Sequence, residues 1–345
     1  MKKKGIIGIF IAAFLVAGFI IWKIFGPVIS TPDGKYFYIR TGESIENVKV
    51  NLLKQKIIGS RGWFNKVAGW LKYNSVKPGR YEIYNGMSLY NLTKMLKNGK
   101  QSPVKMVIIK ERTKEMFAGK IGKKFDLECD SITMIHFLKS NDSLKKFGVD
   151  TNTVMAIVMP YTYSLNWNTP PEKILQQFYT AYQKFWTSDR IKKTEQLQLT
   201  PVEVSSLASI VEEETNNKGD KYNIASTYIN RIKAGMKLQA DPTVKFAMKN
   251  FALKRIVGKY LTFDSPYNTY LYAGIPPGPI CTPSIESLEA VLDAPKTEYL
   301  YFVASSKFDG SSVFTTNFTD HIKFARLYQQ ELTRRMDSTK KNTVN

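Results

Sequence analysis

From Gly5 to Trp22 the chain runs through about 18 apolar or small residues without a charge, which as a helix covers roughly 27 Å, close to the hydrocarbon thickness of a bilayer. Such a segment enters a membrane, and the rest of the chain must then fold as a body outside it. A cleaved signal peptide would carry a shorter apolar region and a small-x-small cleavage site, which Ile24-Phe25-Gly26-Pro27 does not supply. The expectation is a retained anchor over residues 5–25. Lys2, Lys3 and Lys4 precede the run, so residues 1–4 form a cytoplasmic tail and the remainder lies across the membrane. No second stretch of this length occurs, which makes a single-pass protein, and no cysteine follows the run to carry a lipid.

The chain has 345 residues, a formal charge of +21 and 43% hydrophobic residues, enough to build two or three domains beyond the anchor. A basic excess of this size suits nucleic acid, anionic lipid or an acidic polymer, and a location outside the membrane removes nucleic acid as a partner. The two cysteines, Cys129 and Cys281, lie far apart and fit no zinc or iron–sulfur spacing, although one bridge between them stays open. The two histidines, His136 and His321, cannot form an H-E-x-x-H site. With no metal or cofactor motif present, an enzyme of this sequence would work through carboxylates.

After a Pro/Gly linker over 26–35, Tyr36 to Ile39 predicts a strand and Ser44 to Gln55 a helix, with Ile45, Val48, Leu52 and Leu53 at helical spacing. The phrase returns: Tyr81-Glu82-Ile83-Tyr84 leads through Gly86-Met87-Ser88 into a helix bearing Leu89, Leu92 and Leu96, as Tyr38-Ile39 leads through Gly42-Glu43-Ser44. The two units predict a small α+β module over 36–115, with ordinary strand–helix packing as the plainer alternative. Residues 116–195 predict mostly helix, interrupted around Pro160, within a larger α+β body over 116–338 and a tail over 339–345.

Thr200-Pro201-Val202-Glu203 is a capping box with proline at the first helical position. Val204, Leu207, Ala208 and Val211 then define one buried stripe. Glu213 falls opposite that stripe and is the solvent-facing member of the Glu212-Glu213-Glu214 run. Glu212 shares its side with Ser205 and Ser209, which would leave room for a ligand, and Glu214 lies beside Leu207 and Ile210. An apolar wall would raise a carboxyl pKa, while a groove would give access. Periodicity does not choose between them, and a solvated helix end is the simpler account of three glutamates in a row.

Downstream stand Tyr228-Ile229-Asn230-Arg231, Gly235 through Leu238-Gln239-Ala240-Asp241-Pro242-Thr243, Ser265-Pro266-Tyr267-Asn268-Thr269-Tyr270 and Gly274-Ile275-Pro276-Pro277-Gly278-Pro279. With Leu207 to Glu212, this series resembles the endolytic murein transglycosylase (MltG or YceG-like) family over about residues 200–321. The resemblance implies a membrane anchor, a LysM-like module over 36–115 and a catalytic domain over 116–338, in the cytoplasmic (inner) membrane with the catalytic part outside. It implies a lyase that works without a cofactor. The enzyme would cut the MurNAc–GlcNAc bond within nascent peptidoglycan strands, leave 1,6-anhydro ends and limit strand length beside penicillin-binding synthases.

Glu212 matches the first glutamate of the family's helix motif and would be the acid and then the base, so Glu212→Gln would abolish anhydro-product formation. Glu214 matches the second and is the other candidate, holding the first or touching substrate. Asn230, Gln239, Asp241, Tyr267, Asn268 and Tyr270 would bind sugar or line the cleft, with architectural roles as the alternative. The rival reading is a non-catalytic, membrane-anchored peptidoglycan-binding tether whose glutamates merely end a helix. Thr282-Pro283 predicts a new helix, Tyr299–Val303 and Val313–Thr316 predict strands around Asp309-Gly310, and Phe324 and Leu327 mark a closing helix.

Overall fold

The computed structural model describes residues 2–125 and 129–343 and has the expected mixture of helices and strands. Helix α1 (Lys2–Phe25) is long and apolar enough over Gly5–Phe25 to cross a membrane, and that stretch is not buried by the rest of the chain. Next come β1 (Tyr36–Ile39), α2 (Ile45–Lys54), α3 (Arg61–Trp70), β2 (Gly79–Glu82), α4 (Leu89–Asn98) and β3 (Val104–Val107). Then follow α5 (Lys114–Phe125), α6 (Ser131–Leu138), α7 (Asn141–Leu144), β4 (Thr162–Leu165), α8 (Pro171–Phe185) and α9 (Ser188–Leu197). The chain closes with α10 (Pro201–Glu214), α11 (Lys218–Lys233), α12 (Asp241–Ala247), α13 (Ile285–Leu292), β5 (Tyr301–Ala304), β6 (Ser312–Thr315) and α14 (Phe318–Thr343).

Two compact units share this chain, the first made of Met1–Met106, Lys120–Thr133 and Tyr163–Pro171, the second of Val107–Gly119, Met134–Thr162 and Glu172–Asn345. In the first unit the recurring Gly-x-Ser phrase has a local cause. Gly42 and Gly86 sit at φ 80° and 83°, a conformation that costs glycine little, and each turn delivers a serine to a helix N-cap. Ser44 Oγ accepts from Asn47 N–H and Ser88 Oγ from Asn91 N–H. Strands β1 and β2 pair antiparallel, Tyr36 opposite Glu82 and Ile39 opposite Gly79. Alternation sends Phe37 and Ile39 inward, where they share one core with Val48 and Leu52 of α2, Phe64 and Val67 of α3, and Leu92 and Leu96 of α4. The two phrases are therefore halves of one packed body. Helix α3 lies between them, capped by Ser60, in a stretch for which the sequence pattern predicts no element.

The second unit is built around α10. Its capping box forms as expected: Thr200 Oγ1 accepts from Glu203 N–H and Glu203 Oε2 from Thr200 N–H. The single buried stripe is corrected, because every residue from Val204 to Val211 is buried. Helices α11 and α13 pack against α10, so no side of it is left to water. The buried serines satisfy themselves on the helix: Ser205 and Ser206 donate to the carbonyls of Pro201 and Val202, and Ser209 to that of Ser206. Ser205 and Ser209 thus provide no room for a ligand, and α10 opens to solvent only at its first and last turns.

Strands β5 and β6 form the expected hairpin, Tyr301 opposite Thr315 and Ala304 opposite Ser312, around Asp309-Gly310 with Gly310 at φ 81°. The helix expected from Thr282-Pro283 starts slightly later, capped by Ser284. Cys129 and Cys281 are both buried and both free, so no bridge joins them.

The proline-rich segment contains a close backbone approach. A Cβ on Gly278 would lie 2.1 Å from the Asn152 carbonyl oxygen, a contact with backbone that cannot swing away. Gly278→Ala is expected to destabilise the protein by about 1–3 kcal/mol, the usual cost of overpacking, read as a lower urea midpoint with an unchanged slope.

Candidate active site

The three glutamates end α10 in three different environments. Glu212 is drawn toward α13, where its Oε2 accepts from Ser284 Oγ and Ser287 Oγ, each at 2.5 Å, and from Ser284 N–H at 3.3 Å. Lys221 Nζ of α11 stands 3.2 Å from the same oxygen and 3.1 Å from Glu286, with its side chain only 6% exposed. Burial alone would raise the Glu212 pKa, but the two hydroxyls and the ammonium outweigh it and hold the group below its ordinary value. Glu212 is a carboxylate that fastens the last turn of α10 to the N-terminus of α13.

Glu213 is not the free, solvent-facing residue that the helical wheel indicates. Its carboxylate is 3.1 Å from Lys110 Nζ and takes Arg112 Nη2 at 3.0 Å and Nε at 3.3 Å, leaving the side chain 15% exposed. The segment before α5 supplies these cations, and no wheel drawn on α10 includes them.

Glu214 faces α11. Tyr228 Oη donates to its Oε1 at 2.8 Å, and Tyr228 is itself buried. Desolvation dominates here: the Glu214 pKa is pushed from 4.5 up to about 7, with the Asp241 carboxylate adding to the rise, while the Tyr228 hydroxyl and the Lys245 and Arg231 cations oppose it. Two neighbouring carboxyl groups are thereby driven apart, one held ionised and one able to keep a proton near neutrality. The resemblance puts the acid at Glu212, whose surroundings favour its ionised form.

All three glutamates border a cavity of about 620 Å³, with Lys110, Arg112, Thr215, Asn216, Asn217, Asp309 and Gly310 completing its lining. Asn230, Gln239 and the Tyr267 region, expected to line the groove with Glu212, are not on this wall. Asn230 donates its amide to the carbonyls of Thr297 and Tyr299, and Asn268 donates to those of Leu261 and Phe263. Those N–H groups are committed to holding loops. Tyr267 is half-buried against Phe246, with ring centroids 4.7 Å apart. Gln239 is exposed at φ 53°. Asp241 and Tyr270 do come together, Tyr270 Oη donating to Asp241 Oδ1 at 2.7 Å, on the side from which Asp241 acts on Glu214.

Lys221 and Ser284 join the site although no motif in the sequence marks them. Lys221 sits in a sequence that looks like a solvated helix start, yet Lys221, Ile224, Ala225 and Tyr228 are spaced i, i+3, i+4 and i+7, which places the lysine on the buried stripe. His321 stacks on Tyr301 at 5.5 Å between centroids, and burial and the Arg231 charge lower its pKa. Cys281 is fully buried with its thiol pKa pushed up, as expected of a packing residue. Among the described residues no group of three or more His, Cys, Asp or Glu side chains could hold a metal ion.

Comparison with known proteins agrees with this architecture. The profile of the YceG-like family matches residues 37–326. The endolytic murein transglycosylase of Bacillus subtilis is 30% identical over 306 residues, covering 84% of this chain and 83% of that protein. The protein of the same name from Streptococcus pneumoniae (strain D39) is 26% identical over 82% of this chain, which spans only 56% of its length. The crystal structure of a YceG-like protein from Listeria monocytogenes superposes with a TM-score of 0.56, at 26% identity over 84% of this chain and 99% of that one. With the family profile running through nearly the whole body beyond α1, and a relative aligned over most of both lengths, this chain belongs to the YceG-like family.

Proposed function

We propose that the protein is a lytic transglycosylase that cuts peptidoglycan glycan strands between MurNAc and GlcNAc and leaves 1,6-anhydro-MurNAc ends. The observation that carries this reading is the pairing, at one cavity rim, of a glutamate poised to hold a proton at about pH 7 with a neighbour kept ionised. Glu214 is the acid. It protonates the bridging oxygen as the C1–O bond breaks, and the 2-acetamido group of the sugar supports the developing cation at C1. As a carboxylate, Glu214 then takes the proton of the 6-hydroxyl while that oxygen closes on C1, so no water is consumed and the enzyme returns to its starting state.

Glu212 holds the last turn of α10 in place, and Asp241 with Tyr270 remain candidate sugar contacts on the Glu214 side. The anchor 5–25 would hold the catalytic unit outside the cytoplasmic membrane, with a LysM-like module retaining glycan. Cutting strands during their synthesis, beside a penicillin-binding synthase, would end their elongation.

Full-length protein incubated with purified glycan strands is expected to release fragments whose termini lack one water relative to hydrolysis products, read by mass spectrometry. A non-catalytic tether yields none.

The Tyr228 hydroxyl stabilises ionised Glu214, so removing it raises the Glu214 pKa further. Tyr228→Phe should therefore move the alkaline limb of the pH profile for kcat/KM, set near 7 in the wild type, to higher pH while the acid limb stays in place.

A further inference from the structure

Helix α3 presents two faces. Phe64, Val67 and Ala68 go into the core of the first unit, while Trp63, Lys66 and Trp70, spaced i, i+3 and i+7, form a second face on which Trp63 packs at the edge of the core and Lys66 and Trp70 are exposed. Trp70 is 60% exposed, a large apolar surface to leave in water. This face meets the outgoing end of α1: Phe19 and Trp63 have centroids 6.2 Å apart, and Phe25 and Trp70 6.1 Å. Phe19 and Phe25 are separated by about 9 Å along α1, and Trp63 and Trp70 by about 10 Å along α3. The two helices therefore run side by side over that length. Tyr90 of α4 completes the cluster, 5.3 Å from Phe25 and 5.6 Å from Trp70.

Three ammonium groups cap these rings. Lys23 lies 5.0 Å from the Trp22 ring centroid, Lys66 4.7 Å from that of Trp63 and Lys94 5.6 Å from that of Tyr90. Among the described residues none of the three enters an ion pair. Aromatic rings with lysines beside them, continuous with the last turns of an apolar helix, form the chemistry of a bilayer interface, where ring bodies sit among acyl carbonyls and ammonium groups reach phosphates.

We infer that the α3–α4 face is a second membrane contact: the module lies on the outer leaflet of the bilayer that α1 crosses, with Trp63, Trp70 and Tyr90 in the interface and Lys23, Lys66 and Lys94 on anionic phospholipid headgroups. This rests on the reading of α1 as a membrane span. The contact sets the height and tilt of the first unit over the membrane, which a lone helix followed by a linker would leave free.

The full chain in vesicles of phosphatidylglycerol and phosphatidylcholine containing brominated lipid tests it. Quenching is expected to reach Trp22, Trp63 and Trp70 and to spare Trp167 and Trp186, which are buried in the body. In the double variant Trp63→Phe, Trp70→Phe the quenchable emission should fall about threefold, from three tryptophans to one. Lys66→Glu with Lys94→Glu keeps every tryptophan and should lose the quenching of Trp63 and Trp70 while that of Trp22 persists. Alkaline extraction reports the anchor separately. Protein retained in the vesicles with only Trp22 quenched in the wild type overturns the docking and leaves the span intact. Protein released on extraction, with Trp22 unquenched, overturns both.

Discussion

Glu214→Gln is expected to lower turnover of glycan strands by about 10²–10⁴-fold, the usual worth of a general acid–base group, with substrate binding retained. Glutamine keeps the shape and still accepts the Tyr228 hydrogen bond but cannot give up a proton. Glu212→Gln should act mainly on stability, since Glu212 is already ionised and tied to Lys221, Ser284 and Ser287. The two variants, assayed side by side on purified strands by counting anhydro termini, decide between the carboxyls. If folded Glu214→Gln retained wild-type turnover while Glu212→Gln lost it, the two glutamates would exchange roles.

The Glu214→Gln protein should also be more stable than the wild type at alkaline pH. The folded pKa of Glu214, about 7, lies above its unfolded value near 4.5, so the folded state holds the proton more tightly than the unfolded chain. The resulting penalty is absent below pH 4.5, grows between the two values and is complete above 7. At one pKa unit per 1.36 kcal/mol its ceiling is about 3 kcal/mol. A glutamine side chain cannot ionise, so the variant's advantage in denaturant midpoint should be large at pH 8 and vanish at pH 4.5.

Lys221→Met should cost about 3–5 kcal/mol at pH 8, because it leaves the Glu212 carboxylate buried without its cation. The folded pKa of Glu212 is depressed in the wild type, so its stabilisation is present above the unfolded value and is lost as pH falls through the folded one. Without Lys221 that depression shrinks, and the difference between variant and wild type should narrow toward pH 4. Pairing Lys221→Met with Glu212→Gln should restore much of the loss, as removing both charges of a buried pair is far milder than removing one. Urea titration of the four proteins at pH 8 and pH 4 gives the coupling directly. An additive double variant would place the two groups outside each other's influence.

Much of this was legible residue by residue. Thr200-Pro201-Val202-Glu203 fixed the start of α10 because a capping box is satisfied within four residues, and Ser44 and Ser88 fixed α2 and α4 in the same local way. The run Tyr36-Phe37-Tyr38-Ile39 identified a short strand, and the apolar run after Lys4 identified a membrane-length helix, because length and polarity are properties of the segment alone. The shared motifs pointed to the family. None of these readings required knowledge of a distant neighbour.

The different environments of Glu212, Glu213 and Glu214 did require it. Three identical side chains in succession have the same intrinsic pKa and differ by about 100° in direction, so a helical wheel can rank them only by the residues of their own helix. What separates them comes from elsewhere: Ser284, Ser287 and Lys221 for the first, Lys110 and Arg112 for the second, Tyr228 and Asp241 for the third. The sequence by itself determined the membrane-length apolar helix, the caps and the position of the acidic turn. Only the tertiary structure decided which carboxyl keeps its proton, because desolvation and Coulomb interaction depend on distance in space, and the groups that set them lie up to about a hundred residues away along the chain.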